Sequence, residues 1–363
     1  MKLLGLAATL LLLAAVHGQA EQPSCPVPGK TWATLAPETS GWSSEKLAAA
    51  HQYFDSIHSA GILIVQNGKV VQQWGDTAER LTTFSARKSL MSALFGIEAA
   101  KGVIDPNATL AQLGIDDSPD PLTPEEKQAR VVDLLRARSG VYHASGFELD
   151  YQKKGRPARG SHAPGTFWFY NNWDFNTLGS IFEQQAHTKL GDAFTKLIAK
   201  PTRMEDFRPE DVYYIGGPES THSGFMFQMS TRDMARFGQL YLCHGRWGNR
   251  QIVPADWVAK SSHADENVYM GKMKLSGYEY LWWVEHDGIL LEDGATLPGM
   301  FAAEGAGGHF ILVVPTLNMV IAYQFNNEPE HKDTASVLAA TPKGIYDDAF
   351  GHLVKLILDA KPS

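Results

Sequence analysis

The pattern of apolar and polar residues in the first hundred positions predicts a helix, a hairpin and a second helix. A helix is expected over residues 44–57. Strands over residues 61–66 and 69–74, joined by a tight turn at Asn67-Gly68, form the hairpin. The second helix covers residues 85–100 and is apolar on nearly every side. Such a helix is buried rather than laid on the surface.

The rest of the chain alternates between a central helical region and strands near the end. Residues 105 to about 260 are expected to be mostly helical. The elements predicted after residue 105 are helices over residues 131–138, 174–186 and 231–243, strands over residues 278–284, 310–314 and 319–325, and a closing amphipathic helix over residues 346–358. Strands at both ends indicate a sheet built from the two termini, with an inserted helical region. The expected boundaries are about 41–104 and 270–360 for the sheet-containing part and about 105–269 for the helical part.

The N-terminal residues have the pattern of an export signal. Lys2 supplies a positive charge, residues 3–16 are apolar, and Gly18-Gln19-Ala20 offers a small-residue cleavage site. We therefore expect residues 1–20 to be a signal peptide and the mature protein to be periplasmic or secreted. An uncleaved anchor is the alternative, but the apolar run is short for a bilayer span of about 20 residues. No stable membrane insertion is expected after cleavage.

Composition and charge narrow the possible functions. The 363 residues are 44% hydrophobic and 20% charged, which is typical of a globular protein with one large domain or two smaller ones. The net charge of −8 gives no support to nucleic-acid binding. Cys25 and Cys243 are the only cysteines, and in an exported protein they can form a disulfide or remain two free thiols. Neither cysteine belongs to a cluster with metal-ligand spacing, so no metal is expected.

Ser85 and Lys88 are the strongest candidates for chemistry. They are three residues apart at the head of the apolar helix and therefore share one face. A serine hydroxyl is a weak nucleophile until a neighbour accepts its proton, and a lysine does so only where its surroundings favour the neutral amine. An apolar helix would desolvate Lys88, and its N-terminus would favour negative charge developing at Ser85. The pair indicates acyl transfer through Ser85; the alternative is that Ser85 merely caps a core helix.

Two further segments carry groups suited to the same chemistry. The Tyr170 hydroxyl can act as a general base or proton shuttle, and the Asn172 amide can bind both Lys88 and a substrate carbonyl. The glycine-rich residues 304–309 precede a predicted strand and would bring backbone N–H donors close to a substrate oxyanion. Taken alone, the first segment also fits an aromatic core and the second a plain turn.

Together these segments resemble the serine β-lactamase and penicillin-binding-protein superfamily. The resemblance is closer to its class C β-lactamase-related branch, which includes esterases, D-amino-acid peptidases and a 6-aminohexanoate-oligomer hydrolase. It runs from about residue 42 to residue 358. The segments that match, in order, are Ser85-Ala86-Arg87-Lys88-Ser89 and residues 104–110, 131–140, 164–179 and 230–238.

The resemblance implies an α+β fold in which an antiparallel sheet is flanked by helices, with an inserted mostly helical domain, over residues 21–363. It implies that Ser85 attacks a carbonyl while Lys88 and Tyr170 move the proton as one unit, and that an acyl-Ser85 intermediate is then hydrolysed. It also implies an oxyanion hole built from backbone N–H groups. The implied substrate-binding and oxyanion residues, besides the Ser85 N–H, are Asn172, Gly307, Gly308 and His309. No organic cofactor is implied.

One departure from the family pattern bears on the substrate. β-Lactamases and penicillin-binding proteins carry a Lys-Thr-Gly-type motif that places a cation against the substrate carboxylate, and this chain has residues 305–309 in its place. In the esterase and amide-hydrolase branch a Gly-Gly-Gln-like segment stands there. Here His309 replaces the usual Gln, and Glu304 stands where Arg is frequent. Strong β-lactam hydrolysis is therefore not expected.

The leading hypothesis is an exported serine hydrolase that cleaves a small ester or amide. The alternatives are a D-amino-acid peptidase or carboxypeptidase acting on cell-wall peptides, a weak β-lactamase, and a non-catalytic module that binds peptidoglycan or another ligand. Pocket shape would be set by residues 146–162 and 261–275. Aromatic residues near the motifs indicate an apolar acyl or aromatic group, unless they belong to the core: Phe167, Trp168, Trp173, Trp282 and Trp283.

Overall fold

Strands from the two ends of the chain meet in one antiparallel sheet. The computed structural model describes residues 25–291, 295–344 and 347–361, so the predicted signal peptide lies outside the described residues. The strands are β1 (Ser59–Gln66), β2 (Lys69–Gly75), β3 (Arg80–Thr82), β4 (Val212–Gly217), β5 (Ser220–Ser230), β6 (Arg246–Trp247), β7 (Arg250–Gln251), β8 (Tyr269–Met270), β9 (Met273–Lys274), β10 (Gly277–Glu279), β11 (Trp282–Val284), β12 (Phe301–Gly305), β13 (His309–Val314) and β14 (Met319–Phe325).

Helices cover both faces of this sheet, and most of them lie in the part of the chain between its N-terminal and C-terminal strands. They are α1 (Ser44–Ser56), α2 (Arg87–Ala100), α3 (Leu110–Leu113), α4 (Val131–Leu135), α5 (Asp150–Gly155), α6 (Asn172–Ala186), α7 (Leu190–Phe194), α8 (Lys200–Thr202), α9 (Thr231–Leu242), α10 (Ala255–Ser261), α11 (Thr334–Ala340) and α12 (Asp347–Asp359). The α+β fold inferred from the sequence is confirmed. Within the described ranges, no helix has the length and apolarity needed to cross a membrane.

The main sheet has the order β10-β11-β12-β13-β14-β1-β2. Strand β1 pairs with the last strand, β14, on one side and with β2 on the other, so the N-terminal hairpin completes a sheet made largely by the C-terminal third. Strand β1 reads as a continuous apolar run because both of its faces are buried. Ile62 and Ile64 belong to one core, whereas Leu63 and Val65 belong to the other.

The two cores have different helical partners. On one face, α1 and α12 pack on the sheet, with the rings of Phe310 and Phe350 stacked 4.0 Å apart. On the other face lie α2 and α9, with α6 packed against α2 and β5, and every residue of α2 from Arg87 to Glu98 is buried. The prediction that this helix is buried is therefore confirmed, and burial extends even to its charged residues.

Several elements differ from the sequence-based expectation. The central region contains a three-stranded sheet in the order β3-β5-β4. Strand β5 was not expected because consecutive residues, such as Phe225 and Met226, are buried on both faces and leave no alternating pattern. Strand β12 was also missed, since its Ala-Ala-Glu-Gly sequence has low strand propensity. The predicted strand over residues 278–284 is split by a turn at Tyr280 and Leu281, both with positive φ.

A disulfide joins Cys25 to Cys243, with their Cα atoms 5.5 Å apart. Of the two states that the sequence leaves open for these cysteines, the structure has the paired one. The bond ties the first described residue to the position that follows the end of α9. It thereby fastens the N-terminal segment to the end of α9.

Candidate active site

Ser85 lies in a tight turn rather than in the α-helix that follows it. A 3₁₀ turn over Phe84–Ala86 precedes α2, which begins at Arg87. Phe84 has a φ of 46°, a left-handed conformation that is uncommon for a bulky residue and that clusters at functional sites. Arg87 Nη1 donates to the Phe84 carbonyl at 3.0 Å. The residue before the candidate nucleophile is thus held in a strained conformation by a buried side chain.

Lys88 connects the serine to the tyrosine. Its Nζ lies 2.8 Å from Ser85 Oγ and 2.9 Å from Tyr170 Oη. Burial lowers the pKa of Lys88 well below its ordinary value, and the charge of Arg87 lowers it further. The rings of Tyr170 and Phe175 lie 4.7 and 4.6 Å from Nζ. Cation–π attraction is worth up to about 2 kcal/mol, less than the several kcal/mol needed to bury an ion. The neutral amine is therefore favoured.

Tyr170 is positioned by a hydrogen-bond network at the start of α6. The Asn171 side chain caps this helix by accepting from the Trp173 N–H, and its Nδ2 donates to the Asp174 carboxyl at 2.9 Å. The same carboxyl accepts from Ser139 Oγ at 2.5 Å. This network links residues 139–140 to residues 170–172, two of the segments that carry the family resemblance. Sequence reasoning missed Asp174, although its place two residues after Asn172 is a signal for a capping network.

The Tyr170 hydroxyl stays protonated near neutral pH. Burial raises the pKa of Tyr170, and the nearby Tyr151 acts in the same direction, against smaller opposing contributions from a hydrogen bond with Ser85 and the charge of Arg87. A neutral phenol both donates and accepts a hydrogen bond. Tyr170 is thus suited to pass a proton rather than to hold a negative charge.

Asn172 lines the same cleft, and among the described residues its side-chain hydrogen bonds go to groups other than Lys88. Its Nδ2 donates to the Phe147 carbonyl at 2.6 Å and to Gln152 Oε1 at 3.2 Å. Its Oδ1 is buried and has no hydrogen-bond partner among the described residues. A buried acceptor without a partner is costly, so this oxygen is available to a donor on a bound molecule.

The hairpin end between β12 and β13 approaches the serine turn closely. A Cβ atom on Gly305 would lie 2.2 Å from the Thr83 carbonyl oxygen, so only glycine fits there. Gly307 and Gly308 both have positive φ, and both line the cleft. The Gly308 N–H donates to the Gly305 carbonyl at 3.2 Å. Gly307 and Gly308, the two glycines implied by the resemblance, therefore line the same cleft as Ser85.

The His309 side chain lies beneath the cleft instead of lining it. It is fully buried, and its Nε2 is 2.7 Å from Asn327 Oδ1. Burial lowers the pKa of His309 to about 4, so the ring is neutral. Asn327 in turn donates to the carbonyls of Ala340 and Lys343. The imidazole therefore supports the glycine hairpin and the segment beside it rather than reaching a substrate, and the sequence gives no signal for its partner.

The cleft above these residues has a volume of about 810 Å³. Ser85 and Tyr170 lie on its wall together with Phe84 and Trp283, and Glu304 borders it from β12. Pockets of about 300–1,000 Å³ hold a drug-sized molecule. Nowhere in the described ranges do three or more His, Cys, Asp or Glu side chains form a group that could hold a metal ion.

The fold and this cleft define the class of protein. The solved structures that share the fold include proteins described as a 6-aminohexanoate-dimer hydrolase, a carboxylesterase and a penicillin-binding-protein homologue. Within that class the chain belongs to the beta-lactamase family, because the model of that family, described as Beta-lactamase, matches residues 47–341. No curated protein matches the chain.

Three solved structures illustrate the likeness. A protein of Bacillus anthracis, named provisionally as a 6-aminohexanoate-dimer hydrolase, is 17% identical, with a TM-score of 0.62 over 93% of this chain and 89% of that one. A family VIII carboxylesterase is 15% identical, with a TM-score of 0.58 over 88% and 99%. A penicillin-binding-protein homologue of Caulobacter crescentus is 13% identical, with a TM-score of 0.58 over 87% and 97%. At such identities the likeness shows the fold.

Proposed function

We propose that this protein is a serine hydrolase that cleaves a small ester or amide through an acyl-Ser85 intermediate. The observation that carries the proposal is the chain of contacts from Ser85 Oγ through Lys88 Nζ to Tyr170 Oη at the wall of a cleft. A nucleophile within hydrogen-bond reach of a neutral base is the arrangement that covalent catalysis requires.

The pKa directions assign a role to each member of this group. Neutral Lys88 accepts the proton of the Ser85 hydroxyl as its oxygen attacks the carbonyl carbon. The resulting ammonium is stabilised by Tyr170, whose neutral hydroxyl relays a proton to the departing alcohol or amine. Water then attacks the acyl-Ser85 ester, loses a proton to the same pair and releases the acid. The Ser85 hydroxyl is regenerated.

Backbone donors complete the proposed site. The Ser85 N–H and a backbone N–H of residues 305–309 would stabilise the oxyanion that forms on the carbonyl oxygen. The Asn172 Oδ1 would accept from a polar hydrogen of the substrate, since its own Nδ2 is already bonded to Phe147 and Gln152.

An ester or amide is favoured over a β-lactam because of the charge at Glu304. This carboxylate borders the cleft where a cation would bind the substrate carboxylate in a β-lactamase. The names of two structural neighbours, a carboxylesterase and a 6-aminohexanoate-dimer hydrolase, support the same choice. Poor recognition of an anionic β-lactam follows from like-charge repulsion.

We also propose that the protein acts after export, in the periplasm or outside the cell. The Cys25–Cys243 disulfide supports this proposal because such bonds persist in oxidising compartments. Residues 1–20 support it independently, because an apolar run there follows the positively charged Lys2.

Hydrolysis of p-nitrophenyl butyrate by the wild type and by Ser85→Ala tests the function. We expect turnover that falls by about a thousandfold or more in the variant, in the range seen when a catalytic nucleophile is removed. The matched control is Ser89→Ala, because Ser89 lies four residues further on, in α2, and donates to the Leu281 carbonyl. Equal rates in the wild type and in Ser85→Ala would remove Ser85 as the nucleophile. Faster cleavage of a D-Ala-D-Ala peptide than of any ester would favour the peptidase alternative.

A further inference from the structure

Exposed apolar side chains are concentrated at the rim of the cleft. Among the described residues, the large hydrophobic side chains that remain exposed include Tyr151 at 47%, Met270 at 37% and Met273 at 55%. All three line the cleft. Isolated exposed apolar residues need no explanation, but a group of them around one opening marks a binding surface.

The two methionines are held over the cleft by an anchored hairpin. Met270 in β8 is directly opposite Met273 in β9, and directly opposite residues project to the same face of a hairpin. Asn267 Nδ2 fixes the base of the hairpin by donating to the Leu275 carbonyl at 2.7 Å and to the His286 carbonyl at 3.1 Å. Lys274 adds an ion pair with Asp287 at 2.8 Å. The methionine pair is therefore a fixed feature of the rim.

The second side of the rim is formed by α5, which carries Tyr151. Tyr151 and Tyr170 line the same cleft. Trp283 also lines the cleft, with its ring stacked on Tyr170 at 5.7 Å. Apolar surface therefore runs from the ring beside the nucleophile to the rim.

We propose that the substrate carries an extended apolar acyl chain, which runs from Ser85 past Trp283 and lies between Tyr151 and the Met270–Met273 pair. This inference rests on the proposed function and adds the substrate class. An acetyl group would leave most of a cleft of about 810 Å³ unfilled. Methionine suits a flexible alkyl chain because its unbranched, polarisable side chain adapts to the shape of its partner.

A series of p-nitrophenyl esters from acetate through butyrate and hexanoate to octanoate measures the chain-length dependence. Each buried methylene is worth about 0.8 kcal/mol, so kcat/KM should rise up to about fourfold per methylene until the chain passes the rim. In Met270→Glu/Met273→Glu we expect the gain in kcat/KM between butyrate and octanoate to fall at least tenfold compared with the gain in the wild type.

Tyr269→Glu is the matched control. Tyr269 is in the same hairpin and is 53% exposed, but it does not line the cleft. Its replacement should leave the chain-length dependence as in the wild type. An equal loss in Tyr269→Glu and in the methionine double variant would overturn the proposal, because the effect would then be one of general surface charge. The proposal would also be overturned if kcat/KM of the Ser85-dependent reaction did not rise for esters longer than acetate. That result would leave the proposed function standing.

A binding measurement separates this inference from catalysis. Titration calorimetry of Ser85→Ala with methyl butanoate, methyl pentanoate and methyl hexanoate should show an affinity that rises by up to about fourfold per methylene. The same series on Ser85→Ala/Met270→Glu/Met273→Glu should be flat. If the wild type cleaves no ester, an affinity that depends on chain length still supports the binding of an apolar chain between Tyr151 and the Met270–Met273 pair, while the hydrolase proposal fails. An affinity that is independent of chain length would refute the proposed site for the acyl chain.

Discussion

Replacing Arg87 by methionine removes a buried charge beside the proposed base while keeping an unbranched side chain in place of the arginine stem. The Arg87 side chain is completely buried between the rings of Phe225 and Phe147, 5.2 and 5.8 Å from its guanidinium carbon. Its charge is one of the causes of the lowered pKa of Lys88, second to burial. Without that charge the Lys88 ammonium is less disfavoured, so the pKa of Lys88 rises.

The size of this shift follows from Coulomb's law. At an effective dielectric of about 20, two unit charges about 8 Å apart interact by about 2 kcal/mol. This energy corresponds to about 1.5 pH units. Because the base must be neutral, activity increases as pH rises through the pKa of Lys88. A raised pKa therefore moves the acidic limb of the kcat/KM profile upward by about 1.5 units.

The assay is kcat/KM against pH for p-nitrophenyl butyrate. Arg87→Lys keeps the charge and should keep the wild-type limb, even where loss of the bond to the Phe84 carbonyl lowers the overall rate. Arg236→Met is the control for losing a buried arginine, since Arg236 is equally inaccessible but pairs with Glu205. It should lower stability without moving the limb. An unmoved limb in Arg87→Met, or the same movement in Arg236→Met, would refute the electrostatic role of Arg87.

Two further variants test Glu304 and His309. In Glu304→Lys the ratio of kcat/KM for an ester with an anionic acyl group to that for a matched cationic ester should rise by about tenfold or more. The reason is that a charge pair near the surface is worth at least about 1.4 kcal/mol. If this ratio is the same as in the wild type, the charge of residue 304 does not face the substrate. His309 has a pKa of about 4 against an ordinary 6.5, so the unfolded chain binds more protons between these values and stability falls as pH drops through that window. His309→Gln should remove up to about 3 kcal/mol of this loss, measured as the urea-unfolding free energy at pH 7 and pH 4; an identical loss in both proteins would exclude His309 as the cause.

Local patterns explain why much of this molecule is readable from its sequence. The buried helix α2 is predicted because its apolar residues leave no polar face, and burial of Lys88 follows from that alone. The hairpin of β1 and β2 is predicted because Asn67-Gly68 has the chemistry of a tight turn. The segments around Ser85 and Tyr170 are contiguous, so each is visible without knowledge of the other.

Contacts between distant segments could not be predicted in the same way. Ser139 and Asp174 are 35 positions apart, and nothing in either segment indicates that they share a hydrogen bond. The partner of His309 is Asn327, which the sequence shows only as the second residue after a strand. The direction of the His309 ring depends on that partner, because the glycine hairpin alone permits the ring to face either side. Side-chain direction at a hairpin end is a tertiary property.

The turn that holds Ser85 is shaped by contacts from both halves of the chain. Thr83 donates from its N–H to the Phe227 carbonyl in β5 at 2.8 Å, and Thr82 donates from its N–H to Glu328, beyond β14, at 2.6 Å. Gly305 in β12 closes on the same turn so tightly that no side chain is tolerated. A left-handed Phe84 costs on the order of 1–3 kcal/mol and persists only where its surroundings enforce it. The nucleophile therefore reaches its geometry only after β5, β12 and the segment beyond β14 have all docked, which makes the candidate site a product of the complete fold rather than of the local Ser-x-x-Lys sequence.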